Sequence, residues 1–484
     1  MLTVDEIRKA LEGDAASRTK KQARTGLRYY EADHDINQYR IFFYDADGRL
    51  REDKSKSNIK ISHPFFTELV DQEVQYMLSG KDGFVRSDIP ALQRRLDQYF
   101  NDSEDFMAEL YEVVTGCIVK GSEYAYAYKG KEGRTCFQCA DSLGVVEVPA
   151  REAGDGRGHI IFSYLDRGGR DGGQLRRIQV WDERQTWFYV QEGSGEIELD
   201  GDRETNPRPH ILYEKDGDAN TYFEDYGMIP FFRLDNGRRQ YSGLRPIKAL
   251  IDDYDLMSCG LSNNIQDTNE ALYVVKGFEG ENLDEMITNM KFKKHIGLED
   301  SGEVDIKTID IPYQAREAKL EMDEKNIYRF GMGFNAADHG EGNITNVVIK
   351  SRYALLDLKC NKLEIRLRQF LRKLLKIVLA EINEADGTGY QQEDVYFVFE
   401  RETITNAADN AQIHLAQAQT RQTEINTLLN LQEVLGDENM VQLIAEQLDM
   451  APEDLKAKMP RPEDDPLLAA QAALVRMPID PQGA

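Results

Sequence analysis

The cysteines are the first residues that could carry chemistry. Cys136 and Cys139 form a C-x-x-C pair, a spacing that suits zinc binding or thiol–disulfide exchange. A zinc site needs a second pair of ligands at suitable spacing, and downstream His159 has no paired His or Cys. We therefore expect reduced thiols with no metal or redox role.

A cluster of three carboxylates is the second candidate. Asp252, Asp253 and Asp255 stand close together at the start of a predicted helix and could bind a metal ion. Acidic residues also suit the first turns of any helix, because they interact favourably with the helix dipole. The helix-dipole interpretation is favoured, so the sequence predicts no metal site and no cofactor.

Motifs for phosphate binding and catalysis are missing from the sequence. No G-x-x-x-x-G-K-[ST] cradle occurs, since the Ser-Gly-Lys at 79–81 lacks the upstream glycine. The GDGRGH at 154–159 lies among predicted hairpins, where a turn is expected. No nucleophile elbow, zinc-hydrolase or deaminase pattern is present. No motif in the sequence therefore marks a catalytic site.

One glycine-rich segment keeps an active site open as a hypothesis. The stretch GMGFNAADHGEGNITN, residues 331–346, lies between two predicted helices and contains His339. A solvent-exposed loop histidine is the favoured interpretation.

Hydrophobic periodicity predicts an α+β fold that positions these residues. Apolar residues at three- and four-residue spacing predict helices, whereas alternation from Ser122 onward predicts β hairpins. Helices are expected at 1–30, 64–80, 89–120, 246–270, 313–334, 346–384, 407–434 and 438–449; β structure at 122–235 and 395–401; a small α/β insert at 271–312; irregular chain at 36–62. No apolar run is long enough to span a bilayer and the N-terminus lacks a signal-peptide core, so we expect no membrane association and synthesis in a cytoplasm.

The charge pattern disfavours a conventional DNA-binding protein. The formal net charge is −26, the wrong sign for tight phosphate binding. The segment 350–376 is an exception, because its basic residues far outnumber Asp357 and Glu364. Its first six basic residues are Lys350, Arg352, Lys359, Lys362, Arg366 and Arg368. Such a helix could pair with acids of its own chain, approach nucleic acid, or pair with an adjacent subunit, and packing is favoured.

An acidic stripe precedes that helix. Glu317, Glu321 and Glu324 fall on one face of the predicted helix at 313–334. They could form a solvated surface, or they could line a channel in which phosphates must keep moving.

The segment 227–267 shows a family resemblance. Its sequence GMIPFFRLDNGRRQYSGLRPIKALIDDYDLMSCGLSNNIQD resembles the signature of siphophage-type portal proteins of tailed double-stranded-DNA bacteriophages. The matching residues are Gly227, Ile229, Pro230, Phe231, Phe232, Asn236, Ser242, Leu244, Ile251, Asp252, Tyr254, Asp255 and Ser258. Tyr29-Tyr30 and His34-Asp35-Ile36 resemble an N-terminal stretch of the same family.

The resemblance implies a non-enzymatic ring of about twelve copies at one capsid vertex. Such a ring conducts double-stranded DNA, with weak and non-specific contacts, during packaging and ejection. Its implied partners are terminase, a head-completion adaptor, and the major capsid and scaffold proteins. The implied location is the virion, after assembly in the host cytoplasm. ATP hydrolysis would belong to the partner motor.

The resemblance also implies a division of the chain into the regions of the portal fold. They are a wing (1–244 with 346–384), stem helices (245–270 and 313–334), a clip (271–312), a tunnel loop (335–346), and a crown with a C-terminal tail (386–484). The basic helix would belong to the wing, and the acidic stripe would line the tunnel along the stem. The implied DNA contacts in the tunnel loop are Asn335, Asp338, His339, Glu341, Asn343 and Asn346.

Two alternatives stay open from the sequence. One is a nucleic-acid-processing enzyme with its active site at the glycine-rich loop 331–343. The other is a different ring protein of the phage neck. The signature at 227–267 counts against both.

Overall fold

A computed structural model shows a mixed helix and sheet architecture. It describes residues 2–54, 56–80, 83–130, 133–150, 157–166, 174–214, 221–267, 272–276, 303–307, 313–335, 346–401, 407–430 and 441–445. The α-helices in these ranges are α1 (Val4–Ala16), α2 (Arg18–Tyr30), α3 (Phe65–Met77), α4 (Pro90–Leu96), α5 (Glu104–Lys120), α6 (Lys248–Asp267), α7 (Tyr313–Gly331), α8 (Asn346–Asp386) and α9 (Ala407–Asn430). The predicted α+β class is confirmed.

The N-terminal helical segment is divided where the sequence analysis predicts one helix. The break falls at Ser17, whose backbone is extended and whose hydroxyl accepts a hydrogen bond from the Lys20 amide at 3.2 Å. Thr3 and Glu6 form a capping box at the start of α1. Both helices therefore begin with a side chain that satisfies otherwise unpaired amides.

All paired strands in the described ranges are antiparallel. The strands are β1 (Phe42–Tyr44), β2 (Leu50–Glu52), β3 (Val85–Arg86), β4 (Ser122–Lys129), β5 (Thr135–Ala140), β6 (Val145–Pro149), β7 (Arg157–Asp166), β8 (Leu175–Trp181), β9 (Gln185–Glu192), β10 (Ile197–Leu199), β11 (Arg208–Pro209), β12 (Ile211–Glu214), β13 (Thr221–Glu224), β14 (Phe231–Asp235), β15 (Leu272–Lys276), β16 (Glu303–Lys307) and β17 (Tyr396–Phe397).

Two sheets form most of the β-rich region predicted at 122–235, and the separate two-stranded pair β12-β13 completes it. The larger is a meander, β10-β9-β8-β7-β6, with β11 paired to β9. The apolar side of α1, including Ile7 and Leu11, packs on this sheet against Ile161 and Trp187. The smaller sheet, β14-β4-β5, lies against α5 and joins the main core.

Helix α8 supplies much of the main core. The residues that share its buried face are Leu356, Cys360, Leu363, Leu367, Phe370, Leu371, Leu374 and Val378. They pack with apolar residues of α3, α4 and α5, including Met77, Leu92 and Leu110. This helix begins where the sequence analysis predicts and runs two residues further, to Asp386.

Four segments differ from the sequence-based expectation. The helix predicted at 89–120 is interrupted before α5, where Ser103 is extended and its side chain accepts a hydrogen bond from the Phe106 amide. The stretch 36–62, predicted to be irregular, contains a hairpin in which β1 pairs with β2 around the turn at Asp47-Gly48. The strand predicted at 395–401 shortens to β17, which pairs with β3. In the α/β insert predicted at 271–312, β15 pairs with β16, while the helical part of the insert falls outside the described residues.

Two compact units divide the chain. The first contains 1–339 and 350–403, and the second contains 340–349 and 404–484. In the described part of the second unit, α9 is the main element. No helix in the described ranges is long and apolar enough to cross a membrane.

Candidate functional site

The first half of the signature segment joins the smaller sheet to the end of α5. Gly227 has a φ of +62°, a conformation that favours glycine, and the chain then enters β14. Asn236 holds the loop after β14: its amide donates to the Gly121 carbonyl, and its side chain donates to the Tyr241 carbonyl, both at 3.0 Å. Ile229 packs beside the aromatic cluster around Phe231, and Pro230 accepts a hydrogen bond from β4.

The second half of the signature places a fully buried carboxylate between two histidines. Asp255 accepts a hydrogen bond from Nδ1 of His34 at 2.6 Å and from Nδ1 of His63 at 2.7 Å. The His63 backbone amide also donates to it, at 3.0 Å. Burial by itself would raise the pKa of Asp255, but hydrogen bonds from His34 and His63 outweigh burial and lower it. Asp255 therefore acts as a charged anchor inside the fold.

The same face of α6 accepts further hydrogen bonds from an extended segment of chain. Alternate backbone amides at 57, 59, 61 and 63 donate to side chains one helical turn apart on α6. Three partners are Asp267 at 3.2 Å, Asn263 at 2.7 Å and Cys259 Sγ at 3.2 Å, and Asp255 is the fourth. Four helical residues rise about 6 Å, and two extended residues span about 6.6 Å, so the two repeats match. We call this arrangement the α6 ladder.

A second ionic group fixes the start of α6 to α2. The Tyr29 hydroxyl donates to Asp252, and Lys248 pairs with Asp252 at 2.7 Å and with Asp35 at 2.6 Å. Burial and the hydrogen bond to Asp252 raise the pKa of Tyr29 well above its usual value. Tyr254 completes the junction, with its ring edge-on to that of His63 at 4.8 Å. The two segments that resemble the portal family thus meet in space.

The clustered aspartates have separate partners. Asp253 points to α7, where Lys319 bridges it at 2.6 Å to the buried Asp323. Asp252 and Asp255 face α2 and the α6 ladder instead. No group of His, Cys, Asp and Glu in the described ranges could hold a metal ion. Burial also raises the pKa of the Cys139 thiol, which disfavours the metal-binding thiolate.

The acidic stripe of α7 separates into two parts. Glu317 and Glu321 are exposed, with the Tyr313 hydroxyl and Lys325 as their respective neighbours at 3.1 and 3.8 Å. Glu324 turns inward and accepts a hydrogen bond from the Asn335 side chain at 2.7 Å. Glu317 and Glu321 therefore lie on the exposed side of α7, while Glu324 supports the loop that follows α7.

The start of that loop is held tightly against α3. A side-chain carbon on Gly331 or Gly333 would lie 2.6 or 2.3 Å from the methyl groups of Leu69, so a larger residue at either position would displace the Leu69 side chain. Gln72 clamps Phe334 twice: its amide donates to the Phe334 carbonyl at 2.8 Å, and its oxygen accepts from the Phe334 amide at 3.3 Å. We call this arrangement the loop base.

Helix α8, which follows the loop, also contacts the loop base. The Phe334 ring lies 4.7 Å from that of Tyr353 in α8, and Tyr353 lies 5.1 Å from Tyr76 in α3. Of the predicted DNA contacts, Asn335 lies at the loop base and Asn346 is the first residue of α8. The other four, Asp338, His339, Glu341 and Asn343, lie outside the described residues.

The predicted basic helix is the first half of α8. Lys359 pairs with the buried Glu73 of α3 at 2.8 Å, and Arg368 pairs with Glu364 of its own helix at 2.6 Å. Lys362 and Arg366 pair with no carboxylate among the described residues, and the side chains of Lys350 and Arg352 lie outside the described part. Two of the six predicted basic residues thus bind acids of their own chain.

Sequence comparisons place the chain among phage portal proteins. The family model described as "Phage portal protein, SPP1 Gp6-like" matches residues 13–454. The portal protein of Bacillus phage SPP1 is 28% identical over 395 residues, covering 80% of this chain and 75% of that protein. The portal protein of Clostridium phage phiCD119 is 25% identical over 433 residues, covering 85% and 89%.

A structural comparison finds a solved chain from the neck of an empty GTA particle computed with C6 symmetry. The identity is 14%, the TM-score is 0.35, and the match covers 64% of this chain and 78% of that one. The family model alone spans most of the chain, including the α6 ladder and the loop base. The chain belongs to the SPP1 Gp6-like family of phage portal proteins.

Proposed function

We propose that this chain is the subunit of a ring at one capsid vertex, through which double-stranded DNA passes during packaging and ejection. The observation that carries the proposal is the family match over residues 13–454. The loop base supports it, because a loop that touches moving DNA must be held at both ends. Gln72, Leu69 and Tyr353 supply that support here.

Weak contact with DNA is the second part of the proposal. The chain has a net charge of −26, and Glu317 and Glu321 are exposed on α7. Few counterions are released when an acidic surface meets DNA, so binding is weak and sliding is easy. We assign the tunnel-loop residues Asn335, Asp338, His339, Glu341, Asn343 and Asn346 to transient contacts at the narrowest point.

The partners follow from the same role. The insert that contains β15 and β16 would form the clip, which docks terminase during packaging and the head-completion adaptor afterwards. The wing and crown would meet the major capsid and scaffold proteins. The portal family is structural, so ATP hydrolysis is assigned to terminase and no catalytic residue to this chain. The alternative of an active site at 331–343 gains nothing from Gly331 and Gly333, whose role is close packing on α3.

The test begins with the mass of the purified protein by native mass spectrometry. We expect a ring of about twelve copies of the 55.3-kDa chain. The loop base is then tested by packaging DNA in vitro with the cognate terminase. Gln72→Ala removes the clamp on Phe334 and should slow or abolish packaging while rings still form. Gln75→Ala, at an exposed position of the same helix, is the matched control and should package normally.

Two results would contradict the proposal. One is a monomer or dimer that hydrolyses nucleic acid or nucleotide without a partner, which favours the enzyme. The other is a well-formed ring that supports no packaging even as wild type, which favours a different ring protein of the neck.

A further inference from the structure

Helix α8 carries a second seam in addition to its core face. The residues of this seam follow one another at alternating three- and four-residue spacing, and they are Leu355, Leu358, Lys362, Ile365, Gln369, Arg372 and Lys376. At about 100° per residue they fall within about a third of the helix circumference, roughly opposite the buried face of Leu356, Leu363 and Leu367. Such spacing is typical of a surface that packs against another helix.

The seam is exposed even though large apolar residues form part of it. Leu358 and Ile365 are each 61% exposed, and Leu355 is 42% exposed. Exposed apolar side chains grouped on one helix face mark a protein interaction surface more often than isolated ones do. The opposite face of α8 already packs into the core of its own subunit.

The charge of the seam is uniformly positive. Lys362, Arg372 and Lys376 lie on it, and Arg366 lies beside it. In the ranges that the structure describes, none of these four pairs with a carboxylate, whereas Lys359 and Arg368 do. A matching partner must therefore supply acidic groups around an apolar strip.

A protein fits this seam better than DNA does. A phosphate backbone would satisfy Lys362 and Arg366 but would leave Leu358 and Ile365 without apolar contact. The partner with the right charge is a second copy of this chain, which carries 86 acidic residues against 60 basic ones. In a ring every subunit has a neighbour, and a head-to-tail contact joins different faces of the two copies.

We propose that the exposed seam of α8 docks on an acidic surface of the adjacent subunit and holds the ring together. This inference rests on the ring of the proposed function. Opposite charges across the contact would also set its register and make assembly sensitive to salt.

The experiment compares three double variants of the full chain with wild type. Lys362→Glu with Arg366→Glu reverses the charge, and Leu358→Ser with Ile365→Ser removes the apolar strip. Lys9→Glu with Lys21→Glu makes the same charge change on exposed positions of α1 and α2. Circular dichroism confirms that each subunit folds, which is expected because all six side chains lie outside the core.

Sedimentation velocity then measures ring formation over a range of protein concentrations. Both seam variants should need at least tenfold more protein for half-assembly, while the control pair should match wild type. Raising the salt should weaken wild-type assembly and help the charge-reversed variant.

The outcomes separate the two ideas. Wild-type rings together with seam variants that assemble equally well overturn this inference alone. Wild-type protein that never forms rings overturns the proposed function and the inference together. Seam variants that form normal rings but lose binding to a labelled DNA duplex assign the seam to nucleic acid and overturn the docking proposal.

Discussion

Helices α6 and α8 are anchored by opposite kinds of interaction. On the α6 ladder, side chains of Asp255, Asn263 and Asp267 accept hydrogen bonds from backbone amides of an extended segment. On the buried face of α8, Leu363, Leu367 and other apolar residues fill the core. Asp255 and Leu367 are both fully buried, so burial alone does not distinguish the two helices.

The hydrogen bonds of α6 and the apolar packing of α8 differ in how precisely they fix the position of a helix. Hydrogen bonds are directional, so the α6 ladder fixes one register between α6 and the segment at 57–63. Apolar packing is non-directional and depends on volume, so α8 gains stability from many interchangeable contacts. A helix that must keep one position relative to a neighbouring segment benefits from the first kind, and a core helix benefits from the second.

The largest expected effect is the loss of the carboxylate at the top of the α6 ladder. Asp255→Ala removes the partner of two imidazoles and one backbone amide in a buried place, and we expect it to lower the free energy of unfolding by about 3–5 kcal/mol. Hydrogen exchange should show amides of α6 and of 57–63 exposed first, while α8 stays protected.

The control for that variant is Asp253→Ala. Asp253 lies two residues away but pairs with Lys319 at the partly exposed face toward α7. Its loss should change stability by less than about 1 kcal/mol. Equal losses in the two variants would mean that the buried carboxylate has no special role in anchoring α6.

A smaller effect is expected from the core face of α8. Leu367→Ala creates a cavity among apolar residues, and we expect a loss of about 3 kcal/mol. Because these contacts join the main core, hydrogen exchange should rise across α3, α5 and α8 together. Ile365→Ala, two residues away and 61% exposed, serves as the control and should leave subunit unfolding almost unchanged. Faster hydrogen exchange confined to α8 would show that its contacts are independent of the rest of the core.

Acid should weaken the α6 ladder selectively. The pKa of Asp255 in the folded chain is lowered below the ordinary value of about 3.9. Its contribution is therefore fully present above about pH 4 and is lost as the pH falls through the folded pKa. We expect Asp255→Asn to be about 2 kcal/mol less stable than wild type at pH 6. The two should converge at lower pH in denaturant titrations, and a constant difference down to pH 2 would contradict this assignment.

The sequence predicted each half of the contact between α6 and the N-terminal region, but not the contact itself. The signature identified Asp252, Tyr254 and Asp255, and the Tyr-Tyr and His-Asp-Ile segments at 29–36 drew attention separately. His34 and Asp255 are 221 residues apart, and one sequence holds no record of which distant residues touch. The α6 ladder was missed as well, because its hydrogen-bond donors are backbone amides and do not depend on residue type.

The apolar helix was far more predictable than the hairpin at 36–62. Three- and four-residue spacing over a long run located α8 almost to the residue. In β1 the aromatic residues Phe42, Phe43 and Tyr44 are consecutive and all exposed, so no alternation marked a strand. A turn such as Asp47-Gly48 marks where the chain can reverse, but it does not show that the flanking residues pair.

The smallest effect on stability separates a structural acid, Glu324, from the acids that we propose to serve DNA passage. Glu317→Gln with Glu321→Gln alters two exposed side chains, so subunit stability should change by less than about 0.5 kcal/mol. If these carboxylates line the tunnel, their neutralisation should strengthen retention of DNA in the ring and slow packaging, most clearly at low salt. Glu324→Ala is the contrast, because it removes the acceptor of the Asn335 side-chain hydrogen bond at the loop base and should act through loop position with little dependence on salt. Unchanged packaging in the double variant at every salt concentration would place Glu317 and Glu321 away from the DNA and remove the acidic stripe from the conducting surface.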